Sequence, residues 1–281
     1  MVEPSLADLR REIDRIDASM HDLLIERGAI IDRLIAVKKT QDSGSAFRPG
    51  REASMMKVLA ERHRGLLPFD TIESIWRIII STFTYVQAPY SVHASLEAGD
   101  DRMRDSARFH FGFTVPYVTH GHTSDVIEAV KHAAGDLGIF AFNRQAAAPW
   151  WRGLDAPDAP KIIARLPFVE RPDHPAGTPV FVISKPLTDA AVRDSVIFHV
   201  EAANWNDAIV SDLAKNSLSI ETEFHQGSDI RSLLLSAPGT FSTAMVAQLF
   251  AVHKVSTTTV QEVGSHAARF QLQSQNHPDR K

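Results

Sequence analysis

Three cations share the register of an apolar helical stripe near the start of the chain. Arg10, Arg27 and Lys38 fall on this stripe, whose apolar members are Ile13, Met20, Leu24, Ile31 and Leu34. Because burying an unpaired cation costs several kcal/mol, we expect an anionic molecule to bind beside the stripe. The alternative is that each cation lies at the edge of an ordinary dimeric coiled coil and keeps its charge in water.

Helix geometry separates the three cations into a pair and a single residue. Arg27 and Lys38 lie within roughly 20° of one another and about 16 Å apart along the axis, so both side chains could hold one small dianion. Arg10 is roughly 25 Å from Arg27 along the helix and about 100° around it. We therefore expect Arg10 to reach the pocket of an antiparallel partner helix rather than its own.

Two further helices are predicted before residue 92. Arg48-Pro49-Gly50-Arg51-Glu52 predicts a turn that leads into a second helix. A third helix is predicted over roughly Phe69 to Gln87, with an apolar side and an amide at its end.

These motifs, in this order and spacing, resemble the all-helical chorismate mutase family. The resemblance covers about the first ninety residues and rests on Leu9-Arg10, Leu23-Leu24-Ile25-Glu26-Arg27, Lys38, Arg51-Glu52, the Trp76 to Ser81 run and Gln87. It implies an intertwined helical homodimer with shared active sites, in which Arg10 crosses into the partner's pocket.

The resemblance also implies a role for each polar residue toward the substrate chorismate. Arg27 and the partner's Arg10 would hold the two carboxylates. Lys38 and Gln87 would flank the ether oxygen, where negative charge grows as the carbon–oxygen bond breaks. Glu52 would bind the ring hydroxyl, and Arg51 would support the anion-attracting field. No metal and no cofactor is implied. The alternative for Arg51 and Glu52 is a solvated pair in the first turn of a helix.

Two positions depart from the family pattern and leave other functions open. Arg48 stands where many members carry an acidic residue, and Phe83 stands where a small hydroxyl residue is common. Both departures are compatible with a related substrate such as isochorismate. An isochorismate pyruvate lyase and a non-catalytic sensor of an aromatic metabolite are therefore the alternative functions.

Composition and the chain start exclude several other classes. The 281 residues carry a net charge of −4 and contain no cysteine, which argues against general nucleic-acid binding and excludes disulfides and Cys-ligated metals. No apolar run approaches the ~20 residues that span a bilayer. The opening MVEPSLADLRREID lacks the order of a signal peptide. We predict a cytoplasmic protein.

The pattern downstream predicts a multidomain fold of the α and α+β classes. The mutase domain covers residues 1–92 and a linker covers 93–107. An α/β region follows over 108–190, with strands at 109–113, 137–142 and 178–183 and a helix at 124–134. Residues 191–281 read as βαββαβ, a small antiparallel sheet with helices on one face.

This layout resembles a bifunctional chorismate mutase and prephenate dehydratase. Asp136-Leu137-Gly138-Ile139 is similar to a piece of the dehydratase domain. Ser219-Ile220-Glu221-Thr222 is similar to the regulatory ACT segment that frames phenylalanine, which implies an aromatic amino-acid effector. Thr178-Pro179-Val180-Phe181 lacks the arginine expected on the catalytic strand, so the region is predicted to be a degenerate dehydratase.

Two smaller motifs have both a binding and a structural interpretation. His120 and His122 could bind a metal or an anion, but a turn with two solvated imidazoles is the expected outcome because no third ligand has matching spacing. Trp150-Trp151-Arg152 could stack on a small ligand or pack between domains.

Overall fold

A computed structural model describes residues 4–38, 46–171, 174–186, 192–227 and 229–272. The chain begins with three helices, α1 (Leu6–Lys38), α2 (Pro49–Arg62) and α3 (Phe69–Gln87), which confirms the helical prediction. Ser5 and Asp8 cap α1 reciprocally: the Asp8 amide donates to Ser5 Oγ at 3.2 Å, and the Ser5 amide donates to Asp8 Oδ2 at 3.0 Å.

The predicted linker over 93–107 was wrong. This stretch contains a strand, β1 (Val92–Ser95), and most of a helix, α4 (Asp100–Phe111). The strand predicted at 109–113 was also wrong, because its first three residues complete α4. Met103, Ala107 and Phe111 recur at four-residue spacing and are buried, so this helix has a narrow apolar side despite its many charges.

The remaining elements are mostly strands. They are β2 (Tyr117–His120), α5 (Thr123–His132), β3 (Leu137–Ala141), β4 (Lys161–Leu166), β5 (Val169–Glu170), β6 (Val180–Ser184), β7 (Ser195–Ala203), α6 (Ala208–Lys215), β8 (Ser219–Gln226), β9 (Ile230–Pro238), α7 (Thr243–Val252), β10 (Ser256–His266) and β11 (Phe270–Gln271). Two 3₁₀ turns, Trp150–Leu154 and Pro175–Gly177, lie between strands.

Nine of the strands form one sheet in the order β2-β1-β3-β6-β4-β10-β7-β9-β8. The first three are parallel, with α4 and α5 as crossovers, and β6 is antiparallel to both β3 and β4. The last four are antiparallel, so the predicted βαββαβ order and its small antiparallel sheet are confirmed. We call strands β1 to β6 with their helices the α/β region, and residues 195–266 the C-terminal unit.

The strand pairing between the α/β region and the C-terminal unit is short. Gly264 of β10 pairs in parallel with Ile162 of β4. Gly264 has a φ of +154°, and a Cβ added there would lie 2.1 Å from the Ile162 carbonyl oxygen. The predicted boundary at residue 190 therefore falls between two strands of one continuous sheet.

Helices α2 and α3, with Phe47 before them, share a core with the α/β region. Phe47, Met56 and Ile80 pack in the same buried cluster as Val92 and Leu137. Separate cores for the helical part and the region after it are thus not observed. Within the described residues, no helix is long and apolar enough to cross a membrane.

Candidate active site

Arg27 lies where α1 packs against α3. Its guanidinium carbon is 4.6 Å from the centre of the Phe83 ring, a cation–π geometry. The Nη1 atom is buried and has no hydrogen-bond partner among the described residues. Burial lowers the pKa of Arg27, and the positive charge of Arg51 lowers it further. The site therefore contains a partly desolvated cation with a free donor, which is suited to an anionic ligand.

Gln87 lies one turn after Phe83 on α3. Its Nε2 donates to the Phe83 carbonyl at 2.9 Å, which satisfies one orphan carbonyl at the end of this helix. An amide nitrogen carries two donors, so one N–H of Gln87 is left for another acceptor. Phe83 thus contacts Arg27 through its ring and Gln87 through its backbone.

Glu52 is held in a buried ion pair that the sequence analysis did not predict. The residue is 5% exposed, and its Oε2 accepts from Arg77 Nη1 at 2.7 Å. Burial raises the pKa of Glu52, while the charge of Arg77 and its hydrogen bond lower it. The neighbouring Arg51 is exposed. The solvated pair considered for Arg51 and Glu52 is therefore not observed.

The structure separates Arg10 from these groups. Arg10 is exposed on the same helix as Arg27, roughly 25 Å away along the axis. Lys38 is the last residue of α1, and its side chain lies outside the described residues. One chain therefore gathers Arg27, Gln87 and the charge of Arg51 near Phe83, and it leaves Arg10 apart.

Arg77 is the functional candidate that sequence analysis missed. It lies within the apolar run of α3, is 1% exposed, and its Nη2 donates to the His110 carbonyl at 3.0 Å. The signal was present in the sequence, because a lone arginine between Trp76 and Ile78 on an apolar helix requires a buried acceptor.

Strand β6, which includes part of the segment compared with the dehydratase catalytic strand, contains no cation. Every residue of β6 (Val180–Ser184) is buried between β3 and β4, and Pro179 precedes it. The chain therefore presents no arginine from this strand to a substrate.

A polar cluster where the C-terminal unit contacts the preceding region has the residue types of a hydrolase triad, but its serine is not accessible. His199 contacts Asp155 at 2.8 Å through Nδ1 and Ser232 at 3.4 Å through Nε2. However, Ser232 is fully buried, donates to Glu201 at 2.7 Å and accepts from Trp151 Nε1 at 2.9 Å. The cluster therefore has a structural role, and it supports the packing interpretation of the tryptophan motif.

The two histidines beside Gly121 both contact protein side chains. His120 Nε2 lies 2.8 Å from His93 Nδ1, and His122 contacts Glu97 at 3.4 Å. Within the described ranges, no group of three or more His, Asp or Glu residues could hold a metal ion.

Comparisons with known proteins identify the helical part. Residues 9–88 match the family described as chorismate mutase type II. A bifunctional chorismate mutase/prephenate dehydratase from Neisseria gonorrhoeae is 27% identical over 154 residues, 55% of this chain and 41% of that protein. A protein of the same description from Pseudomonas aeruginosa is 27% identical over 141 residues, 49% of this chain and 38% of that protein. The chain thus spans well under half the length of these relatives.

Two solved structures share a distant likeness. One is described as GqqA, a novel type of quorum quenching acylases, with a TM-score of 0.41, 11% identity, and coverage of 64% of this chain and 95% of that chain. The other is prephenate dehydratase from Streptococcus mutans, with a TM-score of 0.37, 10% identity, and coverage of 64% and 99%. Neither likeness is close enough to carry an argument.

Proposed function

We propose, from the type II chorismate mutase domain at residues 9–88, that this chain converts chorismate to prephenate. One observation about the site carries the proposal. Arg27 is partly desolvated, stacks on Phe83, and has a buried Nη1 with no partner in the described part of the chain. A carboxylate of the substrate would satisfy this donor and offset the cost of burying the cation.

The proposed mechanism uses binding and electrostatics, and it requires neither a metal nor a cofactor. Arg27 and Arg10 of a second copy would hold the two carboxylates and favour the folded conformer that rearranges. Lys38 and the second N–H of Gln87 would act at the ether oxygen as its negative charge grows. Groups that are fixed before the bond breaks stabilise the transition state more than the ground state.

We propose a homodimer from the exposure of α1. Every residue from 4 to 26 is exposed in the single chain, including the apolar residues Leu6, Leu9, Ile13, Ile16, Met20, Leu23 and Leu24. These seven form a stripe that covers roughly 100° around the helix axis. A contiguous exposed apolar surface is unfavourable in water and is typical of an interaction site. A second, antiparallel α1 would cover the stripe and bring its own Arg10 toward Arg27.

The rest of the chain is proposed to lack dehydratase activity. Dehydration needs a positioned acid and a carboxylate-binding framework, and β6 offers neither a cation nor an exposed side chain. We retain an aromatic amino acid as a candidate effector of the C-terminal unit. The cytoplasmic location also stays a prediction.

Product analysis tests the proposal. The purified chain is incubated separately with chorismate, isochorismate and prephenate, and prephenate, pyruvate and phenylpyruvate are measured. We expect prephenate from chorismate alone. Pyruvate release from isochorismate would instead identify a lyase, and phenylpyruvate would refute the loss of dehydratase activity. Binding of an aromatic amino acid without any turnover would support the sensor alternative.

A further inference from the structure

Arg77 connects the predicted substrate-binding carboxylate to the α/β region. It donates through Nη1 to Glu52 Oε2 at 2.7 Å and through Nη2 to the His110 carbonyl of α4 at 3.0 Å. We propose that Arg77 is a positioning residue for the mutase reaction: it holds the Glu52 carboxyl group in one orientation, with the backbone of α4 as its second anchor. This inference rests on the proposed function and extends it beyond the helices that match the mutase family.

The geometry fixes the direction of the carboxylate. Glu52 lies in the first turn of α2, Arg77 in the middle of α3 and His110 near the end of α4. The planar guanidinium places its donors in a rigid fork, so anchoring one amino group to α4 orients the other toward Glu52. Apolar residues often replace a buried ion pair without loss of stability. A role in orienting Glu52 therefore explains this pair better than a role in folding.

The ionisable groups around the Glu52–Arg77 ion pair also support the positioning role. Burial raises the pKa of Glu52 above its ordinary value, and the charge and hydrogen bond of Arg77 oppose this increase. Tyr90 is the other titratable group near Glu52, and burial keeps its pKa high, so it is neutral. His110 is also neutral, since burial and the charge of Arg77 hold its pKa well below its ordinary value. Glu73 lies one turn before Arg77 on α3. Burial raises its pKa to about 7, and the charge of Arg77 partly offsets this increase. Loss of Arg77 would therefore raise the pKa of Glu52 further.

Arg171 offers a matched control within the same interface. It bridges α3 to the α/β region by contacting Asp70 and Glu73, and it makes no contact with Glu52 in the described structure. Loss of Arg171 should therefore weaken the same interface and leave the substrate-binding carboxylate unchanged.

The experiment measures kcat and KM of the full chain with chorismate across pH. The variants are Arg77→Met, Arg77→Lys, Arg171→Met, Glu52→Gln and the double variant Arg77→Met with Glu52→Gln. For Arg77→Met we expect KM to rise about tenfold or more at neutral pH with a much smaller change in kcat, because a charged hydrogen bond to the substrate is lost. The acid limb of kcat/KM should also move to higher pH.

The double variant provides the decisive comparison. If Arg77 acts through Glu52, then Arg77→Met should change neither KM nor the pH profile further in the Glu52→Gln background. Arg171→Met should leave the acid limb in place. Equal losses in both backgrounds, or the same response in the Arg77 and Arg171 variants, would overturn the inference.

The remaining outcomes are also informative. If Arg77→Met does not fold, Arg77→Lys keeps the charge but cannot bridge Glu52 and α4 in the same way, and an unchanged KM and acid limb in that variant would overturn the inference. A wild-type chain that does not rearrange chorismate would refute the proposed function itself. An active wild type with unaffected Arg77 variants would refute only the positioning role.

Discussion

A single charge on the exposed stripe of α1 should separate the proposed dimer. Ile13 is 56% exposed in the single chain, so covering it by a partner helix would contribute about 1 kcal/mol, half the value for full burial. Ile13→Asp would lose this contribution and would bury a carboxylate at an additional cost of several kcal/mol. Because a two-fold dimer contains the substitution twice, we expect a loss of at least about 4 kcal/mol, or about a thousandfold in Kd.

The assay combines sedimentation with kinetics. Wild type should sediment as a dimer, and Ile13→Asp should sediment as a monomer with low mutase activity that rises with protein concentration, because Arg10 and Arg27 must come from different chains. Ala18→Asp is the matched control, since Ala18 is exposed and lies roughly 140° around the helix from Ile13. A tight Ile13→Asp dimer, or activity per chain that is independent of concentration, would refute the shared-site reasoning.

Three further outcomes are expected. Arg27→Ala should lower kcat/KM more than a hundredfold, since about 3 kcal/mol of transition-state stabilisation is lost, whereas Arg33→Ala, at an exposed position roughly 120° around α1 from Arg27, should not. Near-normal turnover of Arg27→Ala would end the mutase assignment. Arg10→Ala and Arg27→Ala chains should each be nearly inactive and should regain activity when refolded together, and no recovery in demonstrated heterodimers would mean that Arg10 does not act across the interface. The buried His110 has a pKa well below 6.5 in the folded chain, so below about pH 6.5 the unfolded chain binds a proton that the folded chain does not. The free energy of unfolding should therefore fall on acidification by up to about 1.4 kcal/mol per pH unit, and denaturant titrations should show a smaller fall for His110→Phe but not for the exposed His132→Phe.

The helices and the C-terminal unit were predictable because their periodicity is strong and local. The third helix was predicted at Phe69 to Gln87 and is observed there. Helix α4 was missed because Gly99-Asp100-Asp101 resembles a linker, although Met103 and Phe111 already carried a helical period. The alternation of phenylalanine with other residues in 109–113 favoured a strand, but residues 109–111 belong to the last turn of α4.

The pairing of strands that are distant in the chain could not be predicted from the sequence. The continuous sheet depends on Gly264 approaching Ile162, and these residues are far apart in the chain. Of the predicted site residues, Arg27 and Gln87 both contact Phe83 and Glu52 lies on α2, and their roles toward a substrate stay predictions. Arg77, the partner of Glu52, was missed because an ion pair between two helices leaves no spacing rule within one helix.

The joint between β4 and β10 has a mechanical consequence. Strands β7 and β9 are paired along their whole length, from Ser195 with Pro238 to Ala203 with Ile230, whereas β4 and β10 meet at Gly264 alone. Other contacts join the two parts beside this short pairing: Trp151 donates to Ser232, Arg165 donates to Glu221, and His199 contacts Asp155. A pulling force applied across the sheet would therefore be carried by these side chains as well as by the strand pairing. Where the strand pairing is shortest, side-chain contacts and a shared buried core hold the two parts of the sheet together.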